Sequence, residues 1–369
     1  MKQFLKNNRF LHGWLLGAAG ITLAYHALRY IRPLMNFWSN SVLRPLKGAI
    51  ASVTHLVPFS VAEFFILAII LLALCLFIRE IRRAKQYRPA RGQAPQNPWL
   101  LCAYRTVAGA FAILLSLYAG FSLMYGVLFH TDTFAEQAGI HAQGGTVAEL
   151  EEVTRFFAQG LNATAPYVQR DENDVFSVPI QQIFNESVYA MGPFEERFPF
   201  MEHRDHRPKP LITSRFMAMT DYVGFYFPFT AEANINILMP RSQVPATVLH
   251  EFAHQRRVAL EDEANFIAIV AGIYSENPIF AYSGFLMGYS YLANALNRVA
   301  PDAFRAIHDT LNAYVLADLA DIRAYHARKN PVAQRVTNVV YDGFLRAHGE
   351  TDGIQSYGEV VDLLLAYFS

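Results

Sequence analysis

Three long apolar runs with almost no charge in them fill much of the first 130 residues, and a chain that carries such runs must either bury or embed them. They cover about 11–28, 61–78 and 100–129. A helix needs about 20 apolar residues to cross the hydrocarbon of a bilayer, and each run meets or approaches that length. The third carries one charge, Arg105, near its start. Trp14 and Trp99 stand near run ends, where amphipathic rings favour the interface. No small-x-small cleavage pattern follows the first run, so it reads as a span and not as a leader. Charged residues make up 17% of the chain, against a usual share of about 25%. That excludes a disordered or coiled-coil protein.

The formal net charge of zero conceals a division. Residues 1–130 contain 14 Lys and Arg but only two acids, Glu63 and Glu80, whereas 131–369 contain 17 basic and 29 acidic residues. A basic, apolar half before an acidic, more polar half predicts a membrane anchor (1–130) joined to a water-facing domain (131–369). The basic residues flank apolar runs, which argues against nucleic acid as a partner. Both cysteines, Cys75 and Cys102, lie in the apolar half and read as small hydrophobes. With the N-terminus inside, nine Lys and Arg face the cytoplasm (2–9 and 79–91) and four face outward (29–47). The positive-inside rule therefore predicts a multi-pass protein of the cell membrane whose 131–369 domain is extracytoplasmic. The 29–60 connection has no acids and many apolar residues, and is expected to be interfacial or re-entrant. Residues 88–98 read as a simple connector.

Beyond residue 130 the pattern changes. Over 146–161, Thr146 with Glu149 forms a capping box ahead of apolar residues at helical spacing. The Pro- and Asn-rich 162–210 reads mostly as loop. The β-branched and aromatic 215–236 reads as strands. From Pro245 to the end the chain reads as helical, with breaks near Asn277-Pro278, Ala300-Pro301, Asn330-Pro331 and 349–353. The expected fold is thus a mainly α membrane protein: three transmembrane helices, then an α+β domain with a small sheet beside one special helix.

That helix carries His250-Glu251-Phe252-Ala253-His254, an H-E-x-x-H motif. On a helix, residues i and i+4 share a face, so both imidazoles can reach one metal ion, with Glu251 beside them as general base. A chance match in a chain of this His and Glu content is expected about 2% of the time. A catalytic zinc site also needs a third protein ligand. Position 260 is Leu, so no histidine follows at the short metzincin spacing, but Glu261-Asp262-Glu263 does follow. If a turn folds the next helix back, one acid of its first turn faces the metal, with Asp262 and Glu263 as the geometric candidates.

The stretch HEFAHQRRVALEDEANFIA (250–268) resembles the signature of the domain-of-unknown-function 3810 family, which is membrane-anchored and zincin-like. The resemblance extends to Pro58–Glu63, Lys209-Pro210, Ser214, 224–236, Tyr282-Ser283-Gly284, Ser356-Tyr357 and Val360-Val361, and so over nearly the whole chain. It implies a gluzincin-type site with one Zn²⁺: His250, His254 and Glu263 as ligands and Glu251 as base. The chain departs from the pattern at Arg257, where such sequences usually have Gly.

The activity expected is peptide-bond hydrolysis by a zinc-activated water. Zincins seat a peptide or protein substrate beside an edge strand, which makes 224–236 the substrate side, with Gly224, Tyr226, Glu232 and Asn234 as candidates. An oxyanion partner is sought among Tyr282, His308, His326 and Tyr341, with Tyr282 preferred. His203, Arg204 and His206 read as a solvated loop cluster. One alternative is a non-hydrolytic metal-binding sensor or scaffold of the cell envelope. Intramembrane proteolysis is disfavoured because charges at 255–263 flank the motif.

Overall fold

The computed structural model describes residues 7–87, 97–220, 222–327 and 359–369. The Asn330-Pro331 and 349–353 breaks, Tyr341, Ser356-Tyr357 and most of the 88–98 connector lie outside these.

The anchor half is built from α1 (Arg9–Leu28), α2 (Arg32–Phe37), a π turn (Trp38–Leu43), α3 (Arg44–Thr54), α4 (Val61–Lys85) and α5 (Pro98–Met124). The starts of the two longest helices are written in the sequence. Ser60 Oγ accepts from the Glu63 amide at the head of α4, and Asn97 does the same for Trp99 and Leu100 ahead of Pro98 in α5. Two described helices, α4 and α5, are long and apolar enough to cross a membrane. α1, the third expected span, carries Arg9, His12 and His26 and is not among them. It packs along α5, with Trp14 Nε1 donating to Ser116 Oγ at 2.8 Å. Large apolar residues of α4, such as Ile70, Leu71 and Leu74, are exposed.

The second half begins with α6 (Phe134–Ala138) and α7 (Val147–Thr164), each opened by a complete capping box, Thr133–Glu136 and Thr146–Glu149. The 162–210 stretch is less loop-like than expected. It contains α8 (Ile180–Ala190) and α9 (Gly192–Arg197), fixed by burial of Ile183, Phe184 and Phe194 and not by local propensity. Residues 215–220 are likewise not strand but part of α10 (Ser214–Thr220). A three-stranded sheet follows from β1 (Lys209–Pro210), β2 (Gly224–Phe227) and β3 (Glu232–Ile235), in the order β1-β3-β2. β1 is parallel to β3; β2 is antiparallel to it and forms an edge, with Gly224 opposite Ile235 and Phe227 opposite Glu232.

The helical remainder comprises α11 (Val244–Gln255), α12 (Glu261–Tyr274), α13 (Pro278–Val299), α14 (Pro301–His308), α15 (Ala313–Ala327) and α16 (Glu359–Phe368). The expected breaks at Asn277-Pro278 and Ala300-Pro301 are present. α12 is buried on every side from Glu261 to Gly272, as a helix apolar all round must be. Its approach to α13 requires glycine: a Cβ on Gly284 would stand 2.9 Å from the Ile269 carbonyl and 3.0 Å from the Gly272 Cα.

The two halves are laced together by reciprocal helix caps. The Glu232 carboxylate of β3 accepts the Val61 and Ala62 amides at the start of α4 (3.3 and 3.0 Å). In return Glu63 of α4 accepts the Ile212 and Thr213 amides just before α10 (2.9 and 2.8 Å). Ser60 donates to Asn234 Oδ1 at 2.6 Å. Phe229, at the β2–β3 turn, stacks on Phe65 of α4 with centroids 5.4 Å apart and lies over Gly120 of α5. The 29–60 connection is ordered against the second half, with Thr54 donating to the Thr230 carbonyl and Arg44 to that of Glu202.

Candidate metal centre

α11 sets the site. Pro245 stands in its first turn, and Val248, Leu249, Phe252 and Ala253 bury its back face completely. His250 and His254 therefore emerge together on the other face, with Nε2 atoms 3.1 Å apart. The helix ends in a residue with positive φ, Arg257 (71°), whose amide bonds the His254 carbonyl while that of Val258 bonds Ala253. This closure reverses the chain and lays α12 beside α11. It also gives the physical reason for glycine at this position. Arg257 is held there by Ser39 and Asn40, to which Nη1 donates at 3.1 and 2.5 Å. Arg256, the neighbouring buried side chain, is clamped by Asp205 and Glu195.

The reversal brings Glu261 to the imidazoles. Its carboxylate lies 3.3 Å from His250 Nε2 and 3.6 Å from His254 Nε2, and the three ligand atoms fall within 4.8 Å of one another. Glu263, expected as the third ligand, is not brought to this set. Two residues further along the helix its side chain has rotated about 200° away. There it accepts the Phe134 and Ala135 amides at 2.8 and 2.7 Å and caps α6. Asp262 faces Glu263 and Glu359, and burial pushes it up to about 6.

The donor set fits zinc. Tetrahedral coordination with bonds of about 2.0–2.1 Å places ligand atoms about 3.3–3.4 Å apart. The imidazole nitrogens are 3.1 Å apart, Glu261 Oε2 lies 3.3 Å from His250 Nε2 and Oε1 lies 3.6 Å from His254 Nε2, so the carboxylate straddles the pair at distances on the scale of that edge. His254 Nδ1 lies 2.8 Å from the Val258 carbonyl, and donation there leaves Nε2 with its lone pair. Tyr125 Oη, just past α5, lies 3.0 Å from the same Nδ1. Burial pushes His254 down to about 4, which keeps it a neutral ligand. Burial also depresses His250, but the hydrogen bond and charge of Glu261 outweigh it and the net shift is upward. Asn265, one turn after Glu261 on the same face, lies beside His250 and adds to this, although His250 Nδ1 makes no hydrogen bond.

Glu251 is buried against β2. It accepts the Tyr226 amide, and Gly224 makes room for it, since a Cβ there would stand 2.9 Å from Glu251 Oε1. Oε2 is buried with no hydrogen-bond partner. Burial, with Glu261 adding to it and His250 opposing, pushes the carboxyl up to about 8. Lys47 of α3 lies under the rings of Tyr226 and Tyr125, and burial pushes it down to about 7.

Of the expected substrate-side residues, Gly224 and Tyr226 border the site. Glu232 and Asn234 instead bind the head of α4. Tyr282 is not brought to the ligand set either: its hydroxyl donates to Asp318, which pairs with Arg170, and its ring stacks on Phe176. His308 bonds Tyr289, and His326 packs on Tyr325. Burial and the charge of Glu261 raise the phenol of Tyr222, a second phenol near the site besides Tyr125. Glu261, Asn265, Tyr125 and Tyr222 are the site residues that motif reading missed. The i, i+4 pair Glu261 and Asn265, polar yet buried, was the available signal.

Fold and site together define a mainly helical protein with two helices fit to cross a membrane and an H-E-x-x-H helix whose histidines meet a glutamate from the next helix. More particularly, the chain belongs to the family described as a protein of unknown function, DUF3810, whose model matches residues 38–365. No curated protein and no solved structure matches it.

Proposed function

We propose that this protein is a membrane-anchored, zinc-dependent metallopeptidase of gluzincin type, with His250, His254 and Glu261 as ligands and Glu251 as general base. α1, α4 and α5 form its anchor, and the zincin-like domain faces outside the cytoplasm. The observation that carries the reading is the convergence of the His250, His254 and Glu261 donor atoms within 4.8 Å of one another, with an unpartnered carboxylate oxygen on the adjacent Glu251. Bound zinc would supply the Lewis acidity that brings the pKa of a water towards neutrality. Glu251, whose proton affinity is already raised by burial, accepts that proton and delivers it to the leaving amine. The Tyr226 amide fixes the Glu251 carboxylate during the transfer. Tyr222, whose phenol feels the charge of Glu261, is the candidate donor to the carbonyl oxygen under attack.

Metal analysis of the purified full chain tests the ligand set. The expected result is one zinc per chain in the wild type, loss in His250→Ala and Glu261→Ala, and retention in Glu263→Ala. Cleavage of a peptide library should fall by at least about 10³-fold in Glu251→Gln with metal retained. Metal binding with cleavage unaffected by that substitution would overturn the mechanism.

A further inference from the structure

We infer that the substrate is the membrane-proximal segment of a bilayer-tethered polypeptide, and not a freely diffusing peptide. This rests on the metallopeptidase reading and on α4 and α5 crossing the bilayer. α5 has 27 residues. At 1.5 Å per residue it spans about 40 Å, close to the full thickness of a bilayer with its headgroups. Its end therefore marks the outer membrane surface. Tyr125, the next residue, is a hydrogen bond away from the metal ligand His254. The site thus sits at the headgroup surface, with no stalk between them.

The substrate-side strand is lower still. β2 is an edge of the sheet, the one that faces the H-E-x-x-H helix through the Tyr226 amide on Glu251. Phe227 at the end of β2 packs on Phe65, in the second turn of α4. Past it, the ring of Phe229 comes so close to Gly120 that a Cβ there would stand 2.9 Å away. Gly120 lies four residues before the end of α5, about 6 Å deeper along the axis. The tip of the β2–β3 hairpin therefore dips below the surface that the end of α5 defines.

On the segment between β1 and β2, and just before α4, an apolar fringe is exposed. Ile212, Phe216 and Met219 are 70%, 64% and 52% exposed, and Glu63 ties their segment to the first turn of α4. Leu56 and Phe59, just before α4, are 80% and 41% exposed. Exposed apolar groups gathered at the level of headgroups fit lipid contact. A chain paired with β2 through main-chain hydrogen bonds would run along this boundary. An extended residue covers about 3.3 Å, so the scissile bond would fall within roughly 10 residues of the substrate's own membrane segment.

The test uses the full-length, zinc-loaded protein in proteoliposomes. The probe is a transmembrane helix bearing a degenerate extracytoplasmic tail of about 30 residues, some 100 Å when extended. The same tail is offered as a free peptide, and cut positions are mapped by mass spectrometry with Glu251→Gln as control. The expected result is cuts confined to the membrane-proximal 10 residues or so of the tethered tail, with the free peptide cleaved at least tenfold more slowly. Cuts spread evenly along the tail, or equal cleavage of the free peptide, would overturn the inference and leave the metallopeptidase reading standing. No cleavage of either probe by metal-loaded protein would overturn both.

Discussion

Arg257 occupies a backbone conformation that costs a non-glycine residue about 1 kcal/mol, and two hydrogen bonds from its guanidinium reach the anchor at Ser39 and Asn40. Arg257→Ala keeps the strain and loses the ties, so it should lower stability by about 1–2 kcal/mol. Arg257→Gly relieves the strain while losing the same ties and should fall within about 0.5 kcal/mol of wild type. Thermal unfolding of the two variants in one detergent checks the order; a glycine variant less stable than the alanine one would contradict it. The same turn explains why the third candidate ligand is illegible in the sequence. His250, Glu251 and His254 follow from spacing alone. Choosing among Glu261, Asp262 and Glu263 requires the angle at which α12 begins, and that angle is set by the left-handed residue and by Asn40, over 200 positions away in sequence.

At the scale of elements, the helices whose starts and stops are local were legible. Thr146 with Glu149, Asn277 ahead of Pro278, and Ser60 ahead of Val61 each place a boundary. α8 and α9 were hidden because Pro, Asn and charge dominate their composition, while what fixes them is the distant contact of Phe184 and Phe194 with the core. α10 read as strand because its first amides find their acceptor in Glu63, about 150 residues earlier. Glu63→Gln should weaken that cap by about 1 kcal/mol. Hydrogen exchange at Ile212 and Thr213 should accelerate several-fold, with α4 unaffected because Ser60 still caps it. Unchanged exchange at both amides would show that the cap does not hold α10.

Across the whole molecule, two half-buried histidines outside the candidate metal centre set an acid limit. Burial, reinforced by Arg256, pushes His203 down to about 3, and burial pushes His55 down to about 4. Both lie below the ordinary value of about 6.5, so the folded state resists a proton that the unfolded state accepts. Stability from these groups is complete above about pH 6.5 and is lost as pH falls towards 4, by at most about 1.4 kcal/mol per pH unit for each. Thermal midpoints from pH 8 to 4 should show this fall, and His203→Gln should flatten it; a profile unchanged by that substitution would exclude His203 as a source.

The reciprocal caps carry a further consequence, for biosynthesis. The residues that hold the H-E-x-x-H helix and its turn from the N-terminal half, Ser39, Asn40 and Tyr125, like Ser60 and Glu63 of the caps, all leave the ribosome before His250. The H-E-x-x-H helix therefore docks onto a platform that is synthesised before it. A nascent chain whose N-terminal helices fail to assemble has no such platform, so formation of the site waits on that half of the chain.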